Sequence, residues 1–565
     1  MKRFFASVLL LLPLCVAAQL VRSPLLSTSW SQTSPFNDDC PRVGGSASAA
    51  GCGAIAVGQI LNYHRLLPHG FGQVEYVSKG DTVRVDLEAN VFDFDNILNK
   101  YSSSSKPEAK RAVASFVFQV GAAMKMQYGT SSTPSNFGSM MWGLQHYLHF
   151  SPQSRYRHRR YYSTAEWTEM LNNELENNRP VFYRGDHTTP GSVGGHIFVI
   201  DGINKNGNYH FNFGHASSTQ DKFTDLSVIN QGAGTWPGTF SVCYHHQQAM
   251  ITDFYPVADL TDKDYDEMAL MLTSAMVLGG DDHAKEVRAK GTVQAKFKVN
   301  SVSFVKHSIQ MTLGFYQGDK LCATSSTVRN LSLNAGYSLS FDRSFNLPGN
   351  LPAGEYVMSV VSRADANSPW VRCWDDAPNS VPVTVQSNKT FVFTMPDYHN
   401  LECNLVLERD IVEKNVKTGG KTFEFTVCNP SNNNFEDSIR LVVTTPDATK
   451  QYDQLTSVYD GQRVTYRFFV ANSDVRFSRG YEVKAYYKET AAAEWMPMTY
   501  EKEGIRAAKV ESSNQVSVYT VAGIRIKHFN MVEGDSRYAS FLSSLPKGVY
   551  LVCDRNGTRK FVKRT

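Results

Sequence analysis

The sequence predicts an α+β domain followed by two immunoglobulin-like β-sandwich modules and a small all-β module at the C-terminal end. Two patterns carry this prediction. A glycine-flanked helix pattern at residues 51–64 is followed by a buried strand pattern at 193–202, and short alternating runs between Gly, Asn and Pro turns dominate from residue 257 onward. A chain of 565 residues is also long enough for about three or four domains.

The N-terminus has the features of a secretory signal peptide, which we place at residues 1–18. Met1-Lys2-Arg3 precedes the mostly apolar stretch Phe4 to Val16, and Val16-Ala17-Ala18 fits a cleavage site. This stretch is too short to span a membrane, and no later stretch approaches the ~20 apolar residues that a spanning helix needs. We therefore expect an exported protein with no membrane span.

Composition excludes several classes of partner. The chain has 57 basic and 53 acidic residues, a formal net charge of +4, which favours neither nucleic acid nor an anionic membrane surface. It contains no Walker-type or dinucleotide-type glycine loop and no spacing typical of structural zinc. We expect no cofactor and no metal.

Cys52 lies where a glycine-rich loop enters the predicted helix. A thiol there is close to unpaired N–H groups and to the positive end of the helix dipole, which predicts a lowered pKa and a nucleophilic thiolate. Small residues on both sides leave room for a substrate backbone. The alternative interpretation is a buried small hydrophobic residue, and this segment alone supports the two equally.

His196 follows Gly194 and Gly195 and begins an apolar run that is typical of a buried strand. If it lies near Cys52, its imidazole can take the thiol proton, form an ion pair and later protonate a leaving amine. The alternative is a core histidine with satisfied hydrogen bonds. The candidate site is therefore the pair of Cys52 and His196.

Several ordered blocks resemble the streptopain and interpain family of papain-like cysteine peptidases. They are Leu25 to Pro41, Gln59 to His64, Asp93 to Leu98, Asn178 to Gly185, Val193 to Gly202 and Tyr209 to Gly214. The resemblance spans about residues 24–256. It implies a papain-like α+β fold for residues 19–256 and endopeptidase activity on protein or peptide substrates.

The resemblance also implies a role for each matching residue. Cys52 would be the nucleophile and His196 the general base and acid. Gln32 would donate its side-chain amide to an oxyanion hole, with the backbone N–H of Cys52 as second donor, because such donors must be fixed before charge develops. Asn212 would hold the imidazole in its useful tautomer through a hydrogen bond.

Substrate-binding groups follow from the same resemblance. Gly194 and Gly195 would pair with the backbone of an extended substrate. The segment from Tyr128 to Ser132, with Ser131 and Ser132, resembles the family's pocket loop and implies a hydrophobic residue just upstream of the cleaved one. The glycine-rich loop at 231–238 is either a mobile flap over the cleft or a plain surface connection.

The chain departs from the family at residues 212–217, where Asn-Phe-Gly-His-Ala-Ser stands in place of Asn-Trp-Gly-Trp-Gly-Gly. Phe213 would shield the contact between histidine and asparagine with less area than tryptophan, and we also count it among the substrate-binding residues. His215 either faces solvent or adds a second titratable ring near the cleft. The sequence alone leaves both open.

The rest of the chain is predicted to be β-structure. We expect β-sandwich modules at residues 257–399 and 400–505, acting either as spacers or as binding modules. Residues 506–565 resemble the C-terminal sorting domain of type IX secretion cargo. This implies that the secretion machinery is a partner and that the protein is secreted, with attachment to the cell surface after removal of the tail.

Nine cysteines are present, and eight remain after the signal peptide. If Cys52 stays reduced, an odd number is left for pairing. Cys322 with Cys373, and Cys403 with Cys428, are candidate disulfides because each pair falls in one predicted β module of an exported protein.

Two functional hypotheses follow. The first is a secreted cysteine endopeptidase that acts through an acyl-enzyme. The second is a catalytically weak protein of the same fold that serves as an adhesin or binding protein through its β modules. The lost tryptophans favour the second hypothesis, as does the short interval of residues 19–23 before the first matching block, where family members carry a long pro-segment.

Overall fold

The computed structural model describes residues 20–189, 192–216, 221–226, 229, 244–265, 270–279, 284–375, 379–394, 403–414, 419–431, 433–488 and 494–500, and, beyond residue 500, residue 542 and the backbone of four strands. The predicted signal peptide and the glycine-rich loop at 231–238 lie outside the described residues. Among the helices that are described, none has the length and apolarity to cross a membrane.

The N-terminal unit contains the helices and a central antiparallel sheet. The helices are α1 (Cys52–His64), α2 (Pro107–Ala123), α3 (Phe137–His146) and α4 (Thr164–Glu176). The strands are β1 (Arg42–Val43), β2 (Ser46–Ala47), β3 (Gln73–Ser78), β4 (Asp81–Asp86), β5 (Arg155–His158), β6 (Val181–Thr189), β7 (Ser192–Ile203), β8 (Tyr209–Asn212), β9 (Lys222–Thr224) and β10 (His246–Thr252). Six of these strands form one sheet in the order β5-β10-β6-β7-β8-β9.

Helix α1 runs through the core of this unit because its residues are small or apolar. Gly51 precedes it with φ of +96°, and a Cβ at this position would lie against the Cε of Met126 and 3.0 Å from the carbonyl oxygen of Thr133. Residues 53–62 are all buried. The helix packs against α2 and β7, which brings its first residue, Cys52, to the central sheet.

A first β-rich module follows the N-terminal unit. Its strands are β11 (Leu270–Leu278), β12 (Ala284–Arg288), β13 (Thr292–Ser301), β14 (His307–Gln317), β15 (Lys320–Thr324), β16 (Arg329–Leu333), β17 (Ser338–Asn346), β18 (Gly354–Arg363), β19 (Val371–Arg372), β20 (Trp374–Asp375), β21 (Val381–Val385) and β22 (Thr390–Thr394). One sheet has the order β17-β13-β11-β20, and the other has the order β12-β22-β21-β18-β14-β15. Alternate residues of β13, such as Val293, Ala295 and Phe297, are buried in the shared core.

A second β-rich module contains β23 (Val406–Leu407), β24 (Val412–Lys414), β25 (Gly420–Cys428), β26 (Phe435–Thr444), β27 (Thr449–Val458), β28 (Arg463–Ala471), β29 (Glu482–Lys488), β30 (Met496–Pro497) and β31 (Thr499–Tyr500). Its two sheets enclose a separate apolar core. The last strands, β32 (Gln515–Thr520), β33 (Arg525–Asn530), β34 (Gly548–Asp554) and β35 (Gly557–Lys563), form a sheet in the order β33-β32-β34-β35. This architecture agrees with the prediction of β-rich modules behind an α+β unit.

Both modules pack against the N-terminal unit. In the first module, Phe304 lies among the rings of Tyr76, Trp142 and Tyr147, with centroids 5.2–5.9 Å away. The second module makes several hydrogen bonds to the N-terminal unit. They include those between His245 and Thr456 (3.0 Å), His246 and Ser457 (2.9 Å), Thr164 and Asp460 (2.6 Å), and Gln454 and the carbonyl oxygen of Thr188 (3.4 Å). Thr188 lies on β6, the strand beside β7, so the second module contacts the sheet that carries His196.

The two candidate disulfides are wrong. The cysteines in the described residues are thiols: Cys40, Cys52, Cys322, Cys373, Cys403 and Cys428. Cys373 Sγ lies 3.8 Å from the hydroxyl of Ser362, and Cys403 Sγ lies 3.7 Å from the carbonyl oxygen of Asn433. The two cysteines of each candidate pair therefore lie in one module without their sulfurs meeting, because each side chain faces other neighbours.

We expect Gly51→Ala to lower the free energy of unfolding by about 2–4 kcal/mol, since a strained φ and an overpacked Cβ each cost on the order of 1–3 kcal/mol. Gly44→Ala is the matched control. Gly44 also has a positive φ, +57°, but a Cβ there would meet nothing within 4 Å, so we expect a loss of only about 1–2 kcal/mol. Urea denaturation measures both values. Equal losses in the two variants would contradict the packing assigned to Gly51.

Candidate active site

Cys52 is the first residue of α1, and its half-buried thiol meets strand β7. The backbone N–H groups of Ile197, Gly53 and Cys52 itself hydrogen-bond the sulfur, and the positive charge of Arg184 lies near it. The helix N-terminus thus supplies two of the three donors. Since Ile197 directly follows His196, the same hydrogen bond holds the thiol beside the residue that carries the imidazole.

The lowered pKa that the helix position predicts for Cys52 is wrong for the described arrangement. Burial raises the pKa of the Cys52 thiol, although the N–H groups of Ile197, Gly53 and Cys52 and the charge of Arg184 act in the opposite direction. The thiol is therefore protonated at neutral pH in this arrangement. The sequence signal identified the donors but carried no information on burial.

His196 lies on β7, opposite Gly185 of β6, with only 6% of its surface exposed. Its Nε2 lies 2.8 Å from the carbonyl oxygen of Phe213. Because a carbonyl only accepts, Nε2 carries the proton, which leaves Nδ1 as the nitrogen that can take a proton from a thiol. Burial lowers the pKa of His196 to about 3, and the neighbouring His215 and His187 contribute to the shift. The ring is thus neutral at neutral pH.

Asn212 does not make the direct hydrogen bond to His196 that the resemblance implied. Asn212 donates its amide to the carbonyl oxygen of Thr28 at 2.8 Å, and its Oδ1 accepts from Gln59 Nε2 at 3.3 Å and from the Gly214 N–H at 3.1 Å. The amide therefore fixes the backbone around Phe213, whose carbonyl orients the histidine. The sequence could not distinguish a side-chain acceptor from the main chain of the next residue.

Phe213 also does not have the substrate-binding role that was expected for it. Its ring is fully buried and packs against Phe198 and Phe211, with centroids 5.1 and 5.8 Å away. Its N–H donates to Asp221 Oδ1 at 3.1 Å. Phe213 thus provides a core ring and a carbonyl acceptor, and its side chain is not on the surface that a substrate would meet.

Gln32 lies beside the loop that leads into α1. Its carbonyl oxygen accepts from the Ala50 N–H at 3.0 Å, two residues before Cys52. The side chain is half-buried, and within the described part of the chain no hydrogen bond occupies its amide. Gln32 is therefore held close to the nucleophile by its backbone, with a side-chain donor available.

The predicted pocket loop also adjoins the start of α1. The Ala49 N–H donates to Gly129 O at 3.0 Å, and the Thr133 hydroxyl donates to Ala49 O at 2.7 Å. Ser131 and Ser132 lie between these two anchors and are exposed. The loop thus forms one wall beside Cys52.

Gly194 and Gly195 lie on the other side, on β7 directly before His196. They pair with His187 and Asp186 of β6. A Cβ on Gly194 would lie 3.2 Å from His187 Cδ2, and one on Gly195 would lie 2.9 Å from Asp186 Oδ1. Because Gly194 and Gly195 have no side chain, they make room for His187 and Asp186 and also leave their backbone exposed. The sequence did not reveal this packing reason for the two glycines.

His215 stacks on His196, with ring centroids 4.8 Å apart and an interplanar angle of 13°. This settles the alternatives left open by the sequence in favour of a second titratable ring at the site. Sequence reasoning missed the flanking His187. In the sequence, the only indication of this role was a histidine two residues after Gly185, in the strand that pairs with β7.

The site thus consists of a thiol at a helix N-terminus, a buried histidine on the adjoining strand and nearby amide donors, a combination typical of cysteine peptidases. Comparisons with known proteins confirm the resemblance. Residues 30–223 match the model of the Peptidase C10 family.

Two curated relatives and one solved structure illustrate this similarity. Streptopain of Streptococcus pyogenes is 30% identical over 203 residues, which cover 34% of this chain and 50% of that protein. Thiol protease/hemagglutinin PrtT of Porphyromonas gingivalis is 29% identical over 233 residues, which cover 40% of this chain and 26% of that protein. The structure of interpain A cysteine protease from Prevotella intermedia has 28% identity and a TM-score of 0.38, and the match covers 41% of this chain and 95% of that one. The chain spans half or less of the length of these curated relatives.

We expect Asn212→Ala to reduce the free energy of unfolding by about 1–3 kcal/mol, because it leaves the buried groups of Thr28 and Gln59 without their partner. Asn206→Ala, in the exposed turn before β8, is the matched control and should change stability by less than about 0.5 kcal/mol. Thermal or urea unfolding compares the two. An unchanged Asn212→Ala protein would contradict the assigned network.

Proposed function

We propose that this chain is a cysteine endopeptidase that hydrolyses protein or peptide substrates through an acyl-enzyme on Cys52. The observation that carries the proposal is the hydrogen bond between the Cys52 sulfur and the Ile197 N–H, next to a histidine whose free nitrogen is Nδ1. The nucleophile and its base are thereby held by one helix end and one strand. The similarity to cysteine peptidases over residues 30–223 supports the same assignment.

In the first step, His196 acts as general base. The thiol and the imidazole both begin neutral, since burial raises the pKa of Cys52 and lowers that of His196. As the sulfur attacks the substrate carbonyl carbon, its proton passes to His196 Nδ1. The nearby charge of Arg184 favours the negative charge that develops on sulfur.

The oxygen of the tetrahedral intermediate would be stabilised by the Gln32 amide and the Cys52 backbone N–H. One such donor is worth roughly 2.7–4 kcal/mol of barrier. The protonated His196 then donates its Nδ1 proton to the leaving amine, which breaks the peptide bond and leaves a thioester. Water, deprotonated by His196, hydrolyses the thioester and restores the thiol.

Asn212 contributes through the backbone in this account. By fixing the turn that contains Phe213 and Gly214, it keeps the Phe213 carbonyl directed at His196 Nε2. The carbonyl favours the tautomer with a free Nδ1 and stabilises the imidazolium once it forms. Asn212 is thus a positioning residue.

Substrate choice and export belong to the same proposal. An extended substrate would pair with the backbone of Gly194 and Gly195, with a hydrophobic side chain beside Ser131 and Ser132 just upstream of the cleaved residue. The signal-like residues 1–18 and the tail at 506–565 support secretion through the type IX machinery, with attachment to the cell surface after removal of the tail. Protein substrates and this machinery are the proposed partners.

The direct test is cleavage of casein by the full chain under reducing conditions, together with labelling by iodoacetamide or a peptidyl epoxide. Labelling is read at position 52 by mass spectrometry of the peptides, because other thiols such as Cys322 can also react with iodoacetamide. We expect Cys52→Ala to abolish cleavage and labelling at this position, and Gln32→Ala to lower kcat by about 100- to 1000-fold with labelling of Cys52 largely retained. Cys322→Ala, which removes another partly exposed thiol, is the control and should keep full activity. If the wild-type protein neither cleaves casein nor is labelled at Cys52, the binding-protein hypothesis replaces the peptidase.

A further inference from the structure

Two histidines flank His196 in what we call the histidine row, composed of His187, His196 and His215. His215 stacks on His196 at a centroid distance of 4.8 Å. His187 lies on β6 opposite Gly194, the residue two positions before His196 on β7. Both flanking residues act electrostatically on the central ring.

Each flanking ring has a buried nitrogen that needs an explanation. His215 Nε2 and His187 Nδ1 are both buried, and neither has a hydrogen-bond partner among the described residues. Buried polar atoms in folded proteins are almost always hydrogen-bonded, so unsatisfied ones often mark functional positions. The two rings are thus retained at the site without a hydrogen bond at these nitrogens.

We propose that His215 is a positioning residue that holds the His196 ring and sets the lower pH limit of the peptidase. This inference rests on the proposed function. In the resembled family the position of His215 is a tryptophan, which has no titratable group. The chain described here therefore combines stacking with a charge that depends on pH.

The physical argument is charge repulsion within the row. His196 must become positive when it takes the proton of Cys52. Two unit charges about 5 Å apart at a partly buried site repel enough to change a protonation equilibrium on the order of 100-fold. A protonated His215 therefore opposes the catalytic proton transfer, and the active form is the one in which His215 is neutral.

Protonation of His196 itself would not explain a loss of activity in weak acid. Burial lowers the pKa of His196 to about 3 and also lowers the pKa of His215 from its ordinary value. A proton that His215 gains as the pH falls places a positive charge 4.8 Å from the ring that must itself become positive. Activity is thus present where His215 is neutral and is lost as the pH falls and His215 gains its proton.

Other charged or titratable groups also surround the row: Cys52 of α1, Arg184 and Asp186 of β6, Asp221, Tyr244, and Glu436 of the second β module. Arg184 and Asp186 form an ion pair at 2.8 Å. Asp221 matters most for the test, because burial raises its pKa to about 6 and its oxygen accepts from the Phe213 N–H. Its titration overlaps the range in question.

The experiment measures kcat/KM against pH, from about pH 4.5 to 8, for the full chain and its variants His215→Trp and His215→Phe, which replace the imidazole with a ring that does not titrate. We expect each variant to move the acid limb of the profile down by about one pH unit, a roughly tenfold gain relative to the wild type near pH 5.

Two control variants separate this effect from others. Asp221→Asn removes the carboxylate that titrates in the same pH range. In this background, the difference in the acid limb between the protein with His215 and the His215→Trp variant should remain. His69→Gln, in the loop after α1, should reproduce the wild-type profile. The pH dependence of Cys52 alkylation by iodoacetamide gives a second readout that needs no turnover, and it should show the same displacement.

The outcomes distinguish this inference from the proposal on which it rests. An active protein whose acid limb is the same in the wild type and in both His215 variants overturns the role of His215 and leaves the peptidase intact. A wild-type protein that neither cleaves nor is alkylated at Cys52 overturns both. A purely structural role would change stability or kcat at all pH values without moving the limb.

Discussion

The hydrogen bond between the Ile197 N–H and the Cys52 sulfur joins the two halves of the site. Cys52 belongs to helix α1 and His196 to strand β7, which are separated by much of the N-terminal unit in sequence. The burial of α1 from residue 53 to residue 62 fixes the helix, and the six-stranded sheet fixes the strand. Because both supports are rigid, the thiol and the imidazole need little reorganisation to react.

The supports extend beyond the N-terminal unit. Asn434 of the second β module donates to the carbonyl oxygens of Arg159, Arg160 and Tyr162 at 2.8–3.1 Å, and the buried Arg159 side chain lies 4.1 Å from the ring of Tyr459. Such satisfied buried polar contacts are specific for one orientation. The second β module is therefore fixed against the N-terminal unit that carries the site. A spacer, the role considered from the sequence, would not need such contacts.

The sequence predicted those parts of the site that local patterns encode. The start of α1 at Cys52 and the strand at His196 follow from flanking glycines and apolar periodicity, and the structure has both elements where they were expected. The acceptor for His196 was not predictable, because the Phe213 carbonyl is a main-chain group that any residue could supply. The raised pKa of Cys52 and the stacking of His215 depend on burial and on contacts between distant segments. The docking of the β modules is non-local for the same reason.

The central claim is that Cys52 and His196 form one reacting pair. The most direct measurement is rapid acid quenching of the full chain during turnover of an ester substrate, followed by mass spectrometry of its peptides. The account predicts an acyl group on the peptide that contains Cys52, and none in His196→Ala, whose thiol still reacts with a small disulfide reagent. An acyl group on another residue, or equal acylation in His196→Ala, would contradict the account.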